Sequence, residues 1–345
     1  MRQVSPRAFI TGCQGPELTG EERRFLAEAE PWGLILFARN LVDPPQLRRL
    51  IAEFRAAVGR ADAPVLVDQE GGRVQRLRRP FAPDYPPAGL IGALYEADRD
   101  RGERAAWLAM RLIAEDLHAL GITVNCVPML DLRFAGAHDI VGDRAYGAAV
   151  DTVVALARAA ATGLAAGGVA PVAKHLPGHG RAQADSHEEL PVVAASHGTL
   201  SASDFQPFRR LADLPMAMTA HVLYIALDGA RPATLSAAIV NDIMRGEIGF
   251  DGLLMSDDLS MGALAGPVGA RAGEAIAAGC DIALHCNGEM AEMAAVAAAV
   301  PPLNGRSAER AAAARSWACY EPADIDALRR EFAALAGATD GAARP

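Results

Sequence analysis

Eight short apolar runs recur along the chain, each followed by a longer stretch with helical spacing. This alternation narrows the choice of fold more than any other feature. The runs are AFITG (8–12), GLILF (33–37), PVLVD (64–68), TVNCV (123–127), APVAK (170–174), MAMTA (216–220), GLLMS (252–256) and DIALH (281–285). Most are apolar throughout instead of alternating with polar residues, the pattern of parallel strands buried on both faces. Between them, TGEERRFLAEAE opens with Thr19 and has Glu22 three residues on, a capping box. PPQLRRLIAEFRAAVG closes on a glycine. ADRDRGERAAWLAMRLIAEDLHALG, SASDFQPFRRLAD and VGARAGEAIAAGC carry apolar residues at helical spacing. Strand–helix alternation repeated eight times predicts an α/β fold, a closed (β/α)8 TIM barrel. An open doubly wound sheet would want a GxGxxG turn after the first strand, and ITGCQGPEL lacks it. The 345 residues suit one barrel. The expected organisation is therefore a single catalytic domain over 1–337 with a disordered tail over 338–345.

Composition removes several classes. With 51% hydrophobic and 22% charged residues the chain is globular. A net charge of −9 argues against a nucleic-acid partner, which would select a basic stripe. The five cysteines show no CxxC spacing, so neither a disulfide framework nor a zinc knuckle is indicated, and free thiols in a reducing cytoplasm are expected. MRQVSPRAFITG has no signal-peptide character. LARAAATGLAAGGVAPVA is too weakly apolar to span a membrane. A cytoplasmic protein is the expectation.

In a barrel of this kind chemistry sits at the carboxyl ends of the strands. Here those ends carry Asp68, then Asp131 with Asp143 and Arg144 further on, Lys174 and His175, His221, Asp257 and Asp258, and Cys286 with Asn287. Charged and imidazole groups thus gather at one predicted rim.

The densest stretch is KHLPGHGRAQADSH (174–187), and Lys174 is the only lysine of the chain. A chain that uses arginine everywhere else has kept a compact ammonium at a strand end. Lys174 is therefore a surface residue, a Schiff-base nucleophile or, the favoured reading, a cation that binds substrate hydroxyls. Asp185 and His187, two apart in a loop, can form a pair in which the carboxylate fixes the imidazole tautomer for general acid/base work. The alternative is an Asx turn beside an exposed histidine. His175 and His179 have the four-residue spacing of helical metal ligands, but Pro177 and Gly178 between them argue against a metal. Asp257 and Asp258 read as a nucleophile followed by a helix cap, or as two solvated caps.

Together these segments resemble glycoside hydrolase family 3, in its single-domain β-N-acetylglucosaminidase branch. The resemblance runs in chain order through GLILFARN (33–40), DQEGGRVQR (68–76), VGDRAYG (141–147), the 174–187 loop, MTAH (218–221), PATLS (232–236) and FDGLLMSDDLSMGAL (250–264). It implies a retaining displacement with Asp257 as nucleophile and His187, partnered by Asp185, as acid/base. It implies a cradle for a terminal GlcNAc made by Asp68, Arg76, Arg144, Lys174 and His175, with Arg73 in support. Leu176 departs from the family, which usually has an aromatic there. The two-domain relatives take their acid from a second domain, for which this chain leaves no room. The implied substrates are muropeptides, GlcNAc–anhydro-MurNAc and its peptide forms, with no metal, no cofactor, no membrane partner and a monomeric state. A phosphorylase on the same scaffold and a Lys174 lyase are the rival activities.

Overall fold

The computed structural model describes residues 5–337. Its eight barrel strands fall on the eight apolar runs: Arg7–Thr11, Pro31–Leu36, Val65–Val67, Val124–Asn125, a fifth in two pieces (Ala170–Pro171 and Ala173–Leu176), Met216–Thr219, Leu253–Asp258 and Ile282–His285. All neighbours pair in parallel, and the eighth strand returns to the first with Phe9 opposite Ala283 and Ile10 opposite Leu284. The split fifth strand completes the ring. Its first piece pairs with the fourth strand, and its second with the sixth. The (β/α)8 expectation is met.

The strands are buried along nearly their whole length, which is why their sequences show no alternation. Helices ring them. Gly20–Ala29 starts with the anticipated Thr19–Glu22 capping box. Val268–Ala278 ends where Gly279 takes a left-handed conformation, φ 117°. The 201–213 stretch, expected as one helix, instead spans the end of His197–Ala202 and all of Phe205–Arg210. Ser203 leaves helical geometry there and its hydroxyl bonds both the Thr199 carbonyl and the Asp204 carboxylate, a local bond that competes with the helix. The last helix, Ile325–Gly337, lies on Arg99–His118 through Arg104–Glu331 and Arg329–Asp116. The anticipated tail, 338–345, lies outside the described residues. Four of the five cysteines are buried and all are free. Among the described residues no helix is long and apolar enough to cross a membrane.

Candidate active site

Past the third strand the chain stays extended through Asp68, Gln69 and Glu70. Alternate residues of extended chain share a side, so Asp68 and Glu70 face the same way. Asn125 of the fourth strand pins this segment by exchanging two hydrogen bonds with the Gln69 backbone, at 2.9 and 3.0 Å. Gly71 and Gly72 then reverse the chain with φ of 102° and 56°. A side chain at Gly71 would meet the Pro86 carbonyl at 2.3 Å, so the turn requires glycine. The reversal brings Arg76 back beside Asp68, at 3.4 Å.

Lys174 rises from the fifth strand between the two carboxylates, 2.9 Å from Asp68 and 2.6 Å from Glu70, with its side chain only 3% exposed. Glu70 also receives Arg144 through both oxygens, at 2.8 and 2.9 Å. Burial alone would lower the Lys174 pKa, but Asp68 and Glu70 outweigh it and raise it. The same pairs outweigh burial at Asp68 and Glu70 and hold both carboxyls below their ordinary range. The ammonium is therefore locked in its charged form. A Schiff-base nucleophile must be a free amine, so this geometry favours the binding-cation reading of Lys174.

His175 follows Lys174 across a cis peptide bond. Its Nδ1 meets the fully buried Asp131 at 2.7 Å, while the His179 N–H donates to the other Asp131 oxygen at 2.6 Å. The His175 and His179 rings are tilted by 59° with centroids 5.6 Å apart. His179 turns its Nε2 to Ser186, 3.2 Å away. The two histidines are thus engaged separately and do not converge as ligand pairs do. Burial, then the neighbouring His175, depresses the His179 pKa to about 4.

At the end of the seventh strand, Asp257 accepts the Asp258 N–H at 2.8 Å. Burial would raise its pKa, but His175, His221 and that N–H outweigh it and keep it low, so the carboxylate is ionised near neutrality. His221, buried and shifted down by burial, bonds the Asp258 carbonyl at 3.0 Å and the Thr234 hydroxyl at 2.7 Å. Asp258 borders the cavity as well, but its carboxylate oxygens are committed to the turn that follows. It takes the Ser260 N–H at 3.0 Å, the Ser260 hydroxyl at 2.6 Å and the Cys286 N–H at 3.1 Å, which makes it the clasp of the turn after the strand. His187 sits at the far end of the 174–187 loop, with its Nδ1 2.7 Å from Asp185. The same carboxylate oxygen takes the His187 N–H at 2.9 Å. The Nδ1 contact leaves Nε2 as the ring nitrogen free for a reacting group.

Asp68, Arg76, Arg144, Lys174, His175, His187 and Asp257 all line one cavity of about 380 Å³ at the carboxyl rim, with Phe37, Met218, Met261 and Cys286 as its apolar wall. Asp185 stands behind His187 instead of at the cavity surface. Arg73 points away and holds the 139–143 segment through Asp143, at 3.1 Å. Leu176 is fully buried. Three contributors went unassigned in the sequence. They are Glu70, the shared counter-ion of Lys174 and Arg144; Asp131, which orients His175; and His221, which braces the seventh strand. The spacing of Asp68 and Glu70 in an extended segment was the available signal for the first.

Residues 5–315 match the family model for the glycosyl hydrolase family 3 N terminal domain. A beta-hexosaminidase of Alkalilimnicola ehrlichii is 42% identical over 81% of this chain and 80% of its own length. A Pseudomonas aeruginosa beta-hexosaminidase is 42% identical over 82% and 83%. Among solved structures, NagZ from Neisseria gonorrhoeae in complex with N-trifluoroacetyl-D-glucosamine superposes with a TM-score of 0.88 at 32% identity. That match covers 97% of this chain and 100% of the other.

Proposed function

This chain belongs to glycosyl hydrolase family 3, a family of glycoside hydrolases with beta-hexosaminidases among its members, and on that premise we propose the reaction it carries out. It removes terminal β-linked GlcNAc units with retention at the anomeric carbon. The observation that carries this reading is the joint presence, in one cavity, of an ionised Asp257 and a histidine backed by a carboxylate.

The Asp257 carboxylate attacks the anomeric carbon and the bond to the leaving oxygen breaks. His187 gives that oxygen its proton from Nε2. Water then attacks the glycosyl-enzyme, His187 takes the proton back and Asp257 leaves as carboxylate. Asp185 holds the imidazole tautomer and stabilises its charged form. Lys174, Arg76 and His175 supply donors to the sugar hydroxyls and Asp68 an acceptor. Arg144, tied to Glu70, closes the wall beside them. The cavity, at about 380 Å³, falls at the small end of the range for small-molecule sites. Muropeptides are the proposed natural substrates, and the N-trifluoroacetyl-D-glucosamine named with the Neisseria NagZ structure supports an N-acylated glucosamine as the unit bound. A histidine in either protonation state also puts no negative charge beside an anionic leaving fragment.

The test is hydrolysis of an aryl β-N-acetylglucosaminide and of GlcNAc–anhydro-MurNAc by wild type and Asp257→Ala, with and without phosphate and a chelator. Turnover by wild type, a loss of several orders of magnitude in the variant and indifference to both additives support the reading. A rate that depends on phosphate makes the enzyme a phosphorylase. An unchanged Asp257→Ala rate removes the nucleophile assignment.

A further inference from the structure

We propose that Gly262 is a positioning residue for the acid/base His187, an inference that rests on the function proposed above. After Asp257 the chain makes the turn clasped by Asp258 and comes up beneath the 185–188 loop. There the Gly262 N–H donates to the His187 carbonyl at 3.0 Å, and the Ala263 N–H donates to the Ser186 carbonyl at 3.2 Å. One continuous segment therefore bears the nucleophile at one end and holds the acid/base at the other.

This clasp matters because little else holds His187. Its side chain is 61% exposed, and its ring has one hydrogen bond among the described residues, to Asp185 of the same loop. Ser186 is tied to His179 at 3.2 Å, and the 262–263 backbone is what holds the main chain of His187 itself, keeping the imidazole over the sugar. The clasp also requires glycine. A Cβ on Gly262 would lie 2.5 Å from the Glu188 carbonyl oxygen and 2.9 Å from that of His187, closer than such contacts occur. Any side chain there pushes the 187–188 backbone off the segment and carries His187 away from the leaving oxygen. Asp257, anchored through His221 and Asp258 on the other side of the turn, stays in place.

The experiment compares wild type and Gly262→Ala on GlcNAc–anhydro-MurNAc, whose departure needs a proton, and on 2,4-dinitrophenyl β-N-acetylglucosaminide, whose departure does not. Azide is then added, and Asp257 labelling by 5-fluoro-GlcNAc fluoride is read by mass spectrometry. The label needs the nucleophile but no acid. The expected variant is labelled on Asp257 like wild type. It loses on the order of 10²-fold in kcat/KM on the first substrate, within the usual worth of a general acid, and little on the second. Azide, a nucleophile that needs no base, attacks the anomeric carbon of the glycosyl-enzyme, releases Asp257 and restores kcat as the β-glycosyl azide forms. Equal losses on both substrates without azide rescue, unchanged rates on both, or failure of the variant alone to label Asp257 would each overturn the proposal. Failure of wild type to label on Asp257 overturns the function on which it rests.

Discussion

Glu70 lies 2.6 Å from the Lys174 ammonium and also grips Arg144 through both carboxylate oxygens, one of them shared with Lys174. It sets the charge balance of the site, with two buried cations against Glu70 and Asp68. Removing one partner of a buried ion pair leaves an uncompensated charge, which costs about 3–5 kcal/mol. Glu70→Gln keeps the shape and deletes the charge, so stability is expected to fall by about that amount in urea unfolding. KM should rise as Lys174 and Arg144 shift from their places in the wall. Unchanged stability would mean that Asp68 alone can neutralise both cations.

Lys174 has no room to be arginine. Its side chain is enclosed between Asp68 and Glu70 with Arg144 close by, and a planar guanidinium cannot take the place of a compact ammonium. Lys174→Arg is expected to fold but to lose more than about tenfold in affinity for GlcNAc, read by calorimetry, since one misplaced charged hydrogen bond is worth roughly 1.5–3 kcal/mol. For the same reason borohydride with a keto sugar should leave the wild-type mass unchanged, because an amine held protonated forms no imine.

Much of this was legible beforehand because barrel strands and rim residues leave local marks. The eight apolar runs mapped onto the eight strand positions, and the single lysine and the Asp185–His187 spacing led to the cavity. What stayed hidden depends on contacts across the chain. Asp131 comes after its strand with no motif around it, and only the fold brings it to His175, 44 residues away. Glu70 sits inside a recognisable motif, yet its partners lie 74 and 104 positions on, so its charge has no visible purpose in sequence. Asp258 could be read as a cap, but its hold on the Cys286 N–H just past the eighth strand could not. The break at Ser203 was missed because apolar spacing continues across it while a local side-chain bond stops the helix.

Asp185→Asn separates orientation from protonation. Asp185 is held below its ordinary pKa because the His187 N–H and ring outweigh the effect of burial, so at neutral pH it is an anion facing Nδ1. An amide there can hydrogen-bond but cannot stabilise the imidazolium or enforce the tautomer. The expected loss in kcat/KM on GlcNAc–anhydro-MurNAc is on the order of 10²-fold or more, with dinitrophenyl substrate nearly unaffected. Equal activity of wild type and variant on both substrates would assign the proton transfer to another group.

Stability against pH should show two limbs, and His179 accounts for the upper one. Its pKa is about 4 when folded, against an ordinary 6.5, because burial disfavours the charged ring. Between those values the unfolded chain binds a proton on His179 that the folded chain does not, so stability rises with pH across that window and is fully present above about 6.5. Asp68, Glu70, Asp131 and Asp257 act lower down. Their folded pKa values lie below the ordinary carboxylate range, so their contribution is present above about 4 and is lost as pH falls through the folded values. His179→Asn should therefore flatten the dependence of Tm on pH between 4 and 6.5 and leave the steeper loss below 4 intact. A variant whose Tm still falls across the upper window as in wild type would place that titration on another group, with His221, also depressed by burial, the next to test.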